Sequence, residues 1–331
     1  MPIKPAMIHP ELRKAAALIR FFWPSFTERK YRLAKVVNEK LKGKCRSPLT
    51  YEQKTITRQD GSLLRLCIYS PQDPKADVPG LLWLHGGGYA LGTPEQDELF
   101  IRRFIQASNC VVVSPDYRLS IDAPYPAALE DGYAALRWLK KHGAAYGVRT
   151  DQLMVGGDSA GGGLAVALTL FARDQKEVAI AFQMPLYPML DDRMDTPSAT
   201  DNDGPLWNSK SNATSWRLYL GPLFQTDQVP VYAAPARCRD LTGLPPACSY
   251  VGSIEPFRDE AVAYFERLRA TGTDVHMRVF DGCFHGFDIV CAQTGIAHVA
   301  KDFLLKHFLY ATEHYFAAQP PDTAMQSHSF H

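Results

Sequence analysis

Val155-Gly156-Gly157-Asp158-Ser159-Ala160-Gly161-Gly162-Gly163 sets one serine among five glycines, with the apolar run Leu153 to Val155 before it and the apolar segment Leu164 to Phe171 after it. A short apolar run reads as a strand and a longer one as a helix, so the serine falls on a strand-to-helix turn. Gly157-x-Ser159-x-Gly161 matches the G-x-S-x-G pattern, in which a sharp turn presents a serine hydroxyl at the top of a sheet. Such a turn strains the serine's backbone and leaves no space for neighbouring Cβ atoms, and glycine supplies that space. The plainer alternative is a glycine-rich phosphate cradle. No lysine follows the glycines as in a P-loop, and G-x-G-x-x-G is absent.

A nucleophilic serine needs partners. Acyl transfer passes through an oxyanion, which requires N–H donors already aimed at it. The strand-like run Leu81 to Leu84 leads into His85-Gly86-Gly87-Gly88-Tyr89, whose bare glycine amides can approach a bound carbonyl. Among ten histidines, His285 in Asp281-Gly282-Cys283-Phe284-His285-Gly286-Phe287 follows the last strand-like run, at the end of a strand where a general base belongs. His276 lies within that run, and His298, His307 and His314 fall on the final helix. The acid is expected after the preceding strand, where Glu255, Asp259 and Glu260 are the candidates. Glu255 precedes Pro256 and belongs to the loop. Asp259 and Glu260 fall in the first helical turn, where carboxylates complement the helix dipole. Glu255 is therefore preferred.

The wider pattern alternates. Leu63 to Tyr69, Gly80 to His85, Cys110 to Ser114, Leu153 to Val155, Val178 to Leu186, Ala247 to Val251 and Val275 to Phe280 read as strands. Helical segments at Gln96 to Ala107, Tyr125 to Lys141, Ala160 to Arg173, Phe257 to Ala270 and Ala297 to Tyr315 lie between and after them. This order predicts an α/β fold with a mostly parallel sheet covered on both faces. Residues 1–45 read as helices, with Ala17, Leu18, Phe21, Phe22, Leu33, Val36 and Val37 at helical spacing. Residues 189–235, rich in Asp, Pro, Trp and Tyr, are expected to be an insertion that caps the site within a catalytic domain spanning 46–316. The polar tail 317–331 reads as frayed.

Composition narrows the function further. Apolar residues make up 46% of the 331, enough for a substantial core. The 36 basic and 35 acidic residues nearly cancel, and no basic stripe interleaved with aromatics favours nucleic acid. The first residues, MPIKPAMIHPELRK, lack the apolar core of a secretory signal, and no apolar run approaches the roughly 18 residues of a membrane span. Seven scattered cysteines without a C-x-x-C pair give no sign of zinc or redox work and suggest reduced thiols in a cytoplasm, and the serine–histidine chemistry needs no metal or organic cofactor. Asn212-Ala213-Thr214 is a formal glycosylation sequon without a secretory route.

HGGGY (85–89), DYRL (116–119), YPAALED (125–131), GDSAGG (157–162), EPFRDE (255–260) and HGF (285–287) together resemble the hormone-sensitive-lipase-like family of α/β-hydrolase esterases, over about residues 60 to 315. The resemblance implies an eight-stranded, mostly parallel sheet, a helical cap and serine hydrolysis of short carboxylic esters. It implies Ser159 as nucleophile, His285 as base and Glu255 where aspartate is commoner. Gly87, Gly88 and Ala160 would supply the oxyanion donors, with Gly86 able to replace either glycine. Ser120-Ile121-Asp122 departs from the family's usual Ala-Pro-Glu. The expected partners are a small-molecule ester and, at most, a second copy in a homodimer. An amidase or carbamate hydrolase on the same residues is the alternative, and a receptor that binds without turnover is disfavoured by the presence of both Ser159 and His285. Trp207, Trp216, Tyr219, Phe22, Trp23 and Tyr187 are candidate pocket walls.

Overall fold

Strand ends decide where chemistry can happen in this chain. The computed structural model describes residues 2–40, 42–45 and 48–321. Its strands are β1 (Thr50–Thr57), β2 (Leu63–Ser70), β3 (Val78–Leu84), β4 (Val111–Pro115), β5 (Val148–Asp158), β6 (Phe182–Leu186), β7 (Ala247–Gly252) and β8 (Val275–Phe280). They form one eight-stranded sheet in the order β1-β2-β4-β3-β5-β6-β7-β8. β2 pairs antiparallel with β1 and β4, and the remaining neighbours are parallel. The helices are α1 (Arg13–Phe22), α2 (Glu28–Glu39), α3 (Glu98–Ser108), α4 (Ala127–His142), α5 (Ala160–Gln175), α6 (Ser209–Leu220), α7 (Arg258–Ala270), α8 (Phe287–Val290) and α9 (Gly295–His314).

Side chains alternate along a strand, and β3, buried throughout, feeds two cores at once. Leu81 and Trp83 join Phe100 and Phe104 of α3 and Phe308 of α9, whereas Leu82 and Leu84 join Leu136 of α4 and Leu168 of α5. α5 is buried continuously from Ala160 to Ala172, as its all-round apolar sequence requires. No described helix is long and apolar enough to cross a membrane.

The structure adds one strand to the sequence reading and corrects two expectations. β1 escapes the sequence reading because it is a polar strand at the sheet edge, TYEQKTIT, with no buried residue. The run at Val178 becomes a strand only from Phe182, because Val178 and Ile180 pack in the core ahead of the ladder. The tail is not free at 317–321: Ala317 N–H donates to the Asp151 carbonyl at 2.8 Å, and the Gln319 side chain brackets the Ala179 peptide at 3.0 and 2.8 Å. The remainder of that tail lies outside the described residues. Asn212 is fully buried on α6, so the sequon is closed to a glycan.

Candidate active site

β3 and β5 are parallel neighbours with Leu84 opposite Gly157, so the glycine loop and the serine turn leave the sheet side by side. Ser159 takes φ 55° and ψ −119° between β5 and α5, a conformation that costs a non-glycine residue about 1–3 kcal/mol. Three hydrogen bonds hold it there. Its N–H donates to the Leu186 carbonyl at 3.0 Å, and its carbonyl accepts from Gly163 at 2.9 Å and Met189 at 3.1 Å. A Cβ on Gly161 would lie 2.0 Å from the Leu84 carbonyl oxygen, which fixes why that position is glycine.

Glu255 follows β7 and His285 follows β8, both at C-terminal ends of parallel strands, where such folds gather their reactive groups. Ser159 Oγ lies 2.8 Å from His285 Nε2, and His285 Nδ1 is hydrogen-bonded to Glu255 Oε2. Glu255 Oε1 accepts the Gly252 amide at 2.6 Å, so both carboxylate oxygens are engaged. Glu255 is wholly buried, and Ser159 and His285 are only 5% and 4% exposed. Tyr187, Phe257 and Trp207 surround the imidazole with ring centroids 4.9, 5.1 and 5.9 Å away.

The other two acids are held elsewhere. Asp259 accepts from the Ser198 amide at 2.8 Å and from Arg258, while Glu260 accepts the amides of Leu190 at 2.7 Å and Asp191 at 3.2 Å. Both anchor the start of the 189–235 segment to α7. Burial pushes the Glu260 carboxyl well above the usual range.

The glycine loop rests on His85, which is buried, stacks on Tyr117 at 4.1 Å and bonds the Gly86 carbonyl through Nδ1 at 2.9 Å. Burial lowers its pKa to about 4, so it stays neutral. Gly88, at φ +61°, has space only for hydrogen: a Cβ would approach Trp207 and the Ser215 hydroxyl at 2.5 and 2.6 Å. Among the described residues no backbone acceptor engages the amides of Gly87, Gly88 or Ala160. Ser120 N–H donates to the Tyr89 carbonyl at 2.8 Å, and Asp122 pairs with Lys35 of α2, so the Ser-Ile-Asp variation ties this loop to the N-terminal helices.

Beneath the serine lie buried acids that the sequence reading left out. Asp158, against Gly86, is raised well above its ordinary range by burial and by Asp97. Asp97 accepts from Trp83 Nε1 at 2.9 Å and is raised to about 6, chiefly by burial. Asp288 accepts the hydroxyls of Tyr250 at 2.6 Å and Tyr187 at 3.3 Å. Asp158 stood inside the quoted motif, but nothing in sequence marks a carboxylate that is desolvated by distant segments.

Ser159 and His285 open into a cavity of about 140 Å³, also lined by Phe26, Tyr31, Leu91, Tyr187, Leu206, Trp207, Ile289 and Val290. Of the six aromatic residues expected as walls, Tyr187 and Trp207 line it. Trp216 and Tyr219 are core, packed around Tyr89, and Phe22 and Trp23 face outward. Phe26 and Tyr31 are the walls the sequence hid. Tyr31 reaches the cavity by bonding Ser215 on α6 at 2.6 Å, 184 residues away. A larger cleft of about 1070 Å³ lies apart from these residues, between Arg58, Arg118, Arg137 and Trp138. Its arginines are already paired with Asp131, Glu130 and Glu177. No grouping of His, Cys, Asp and Glu among the described residues could hold a metal ion.

A parallel-centred sheet whose strand ends bring together a serine, a histidine and a buried carboxylate is the architecture of a hydrolase that works through a nucleophilic side chain. A family model described as the alpha/beta hydrolase fold matches residues 81–289, and the chain belongs to that family, in its hormone-sensitive-lipase-like branch. It is 36% identical to Esterase LipI of Mycobacterium tuberculosis over 64% of this chain and 67% of that one. It is 31% identical to Carboxylesterase NlhH of the same organism over 72% of this chain and 76% of that one. Among solved structures, a bacterial heroin esterase superposes with a TM-score of 0.85 at 31% identity, covering 93% of this chain and 98% of that chain.

Proposed function

We propose that this protein is a carboxylesterase that cleaves short-chain esters through an acyl-enzyme on Ser159. The observation that carries the reading is the continuous hydrogen-bonded relay from Ser159 Oγ through His285 to buried Glu255, opening on an apolar cavity. His285 Nε2 takes the serine proton as Oγ attacks the acyl carbon, and Glu255 holds the imidazole in the accepting tautomer and offsets its positive charge. The amides of Gly87, Gly88 and Ala160 receive the oxyanion, aided by the positive N-terminal end of α5. The protonated histidine then passes its proton to the leaving alcohol. Water, deprotonated by the same nitrogen, attacks the acyl-serine and frees the acid.

Cavity volume favours small acyl groups. A space on the order of 150 Å³ holds a benzene-sized body, so 140 Å³ suits a short or compact acyl chain. The cap is read as α1 and α2 together with 189–235, resting on the Tyr31–Ser215 bond, the Phe26 N–H to Ser211 Oγ bond at 2.9 Å and the Phe26–Trp207 contact at 5.8 Å. Six of the seven cysteines are buried as free thiols, and on that basis we infer a cytoplasmic location. The test is a scan of esters of increasing acyl length with the purified protein. Turnover highest for acetyl to butyryl esters is expected, and absence of turnover on every ester would overturn the assignment.

A further inference from the structure

We propose that the outward face of the N-terminal helices α1 and α2 docks on an anionic lipid bilayer. Such docking does not depend on ester hydrolysis. Each helix keeps one face against the protein: Ala16 and Tyr31 are fully buried, Tyr31 is bonded to Ser215, and Lys35 is paired with Asp122. On the other side, large apolar residues recur at i, i+3 and i+4. Leu18, Phe21 and Phe22 of α1 are 61%, 79% and 62% exposed, and Leu33, Val36 and Val37 of α2 are 69%, 62% and 57% exposed. Isolated exposed apolar residues are ordinary, but two such stripes on consecutive helices mark a surface that is covered in use.

Charge selects the occupant. Residues 1–45 hold eleven lysines and arginines against three glutamates, whereas the other 286 residues hold 25 basic against 32 acidic. The near-neutral total therefore conceals a strongly cationic N-terminal segment on a net acidic body. Lys14, Arg29 and Lys40 are exposed beside the apolar stripes and enter no ion pair among the described residues. An amphipathic helix of this kind settles at an interface with its apolar side chains at the headgroup boundary and its cations at the phosphates. A second copy of the chain is the poorer partner, because face-to-face pairing would bring two cationic segments together. Phe26 and Tyr31, on the inner side of the same segment, wall the cavity, and Val290 at the cavity is itself 46% exposed. Docking this face would set the cavity beside the bilayer, where apolar esters concentrate.

Flotation of the full chain with phosphatidylcholine vesicles and with equimolar phosphatidylcholine and phosphatidylglycerol vesicles tests this. At low salt, at least about tenfold more protein is expected on the anionic vesicles, with release at high salt as the charges are screened. The triple variants Leu33→Ser/Val36→Ser/Val37→Ser and Lys14→Glu/Arg29→Glu/Lys40→Glu should each lower binding about tenfold while leaving the circular dichroism spectrum and Tm unchanged. No flotation, or equal flotation on neutral vesicles, would overturn the proposal. So would a concentration-dependent dimer that the Leu33/Val36/Val37 variant dissolves and anionic vesicles leave intact.

Discussion

Glu255 holds the Gly252 amide with Oε1 and the His285 imidazole with Oε2, so one carboxylate locks its own loop and orients the histidine. Glutamine has one acceptor for these two donors: its NH₂ either faces His285 Nδ1 and favours the wrong imidazole tautomer, or opposes the Gly252 N–H and unlocks the loop. In chymotrypsin-type enzymes the corresponding change lowers kcat roughly 10⁴-fold, and Glu255→Gln is expected to cost about 10²- to 10⁴-fold here. Asp259→Asn should change kcat less than about threefold, since Asp259 faces Ser198 and Arg258. Steady-state kinetics of the two variants decide it, and the reverse ranking would move the acid's role to Asp259.

The tightness of the serine turn predicts a stability effect. With 2.0 Å between a Cβ on Gly161 and the Leu84 carbonyl oxygen, and backbone on both sides, no side chain can move to relieve the overlap. Gly161→Ala should cost about 3 kcal/mol or more, read as a large fall in Tm or as loss of soluble protein. A variant that melts with the parent would mean the elbow is looser than this packing.

Asp97 gives a pH signature. Its native pKa of about 6 stands above the ordinary value of about 4, mainly through burial. The unfolded chain then releases this proton at lower pH than the native one. The contribution of Asp97 to stability is therefore full below about pH 4, falls as pH rises towards 6 and is level above that. Asp97→Asn retains an acceptor for Trp83 Nε1 and removes this titration. Thermal melts across pH 4 to 7 should therefore show a drop in the parent that is smaller by a few degrees in the variant. Parallel curves would contradict the buried-acid reading.

What the sequence revealed follows physical range. The serine turn, the glycine loop and the order Ser159, Glu255, His285 were legible because each sits at the end of a strand whose apolar pattern is local. The alternating strands and helices likewise led to a mostly parallel sheet, and its count of eight strands came from the family resemblance. Phe26 and Tyr31 stayed hidden because their cavity position depends on residues more than 180 positions away. Asp259 and Glu260 looked like dipole-compensating acids until Ser198, Leu190 and Asp191 came against them. Edge strand β1 had no buried face to give it a pattern.

The N-terminal walls carry a further prediction. Tyr31→Phe leaves the buried Ser215 hydroxyl without its 2.6 Å partner and should cost about 1–3 kcal/mol. Removing residues 1–40 takes away Phe26 and Tyr31 together, so the truncated protein should melt lower and lose its discrimination among acyl lengths. Unchanged Tm and an unchanged ester profile would show that these helices do not shape the pocket.

The central claim is that Ser159 is the nucleophile. Reaction with a serine-directed fluorophosphonate, followed by intact-mass measurement and peptide mapping, tests it most directly, because only an activated hydroxyl attacks phosphorus efficiently. One adduct per chain, mapped to Ser159 and absent in Ser159→Ala and His285→Ala, is the predicted result. Labelling at another residue, or full ester turnover by Ser159→Ala, would contradict it.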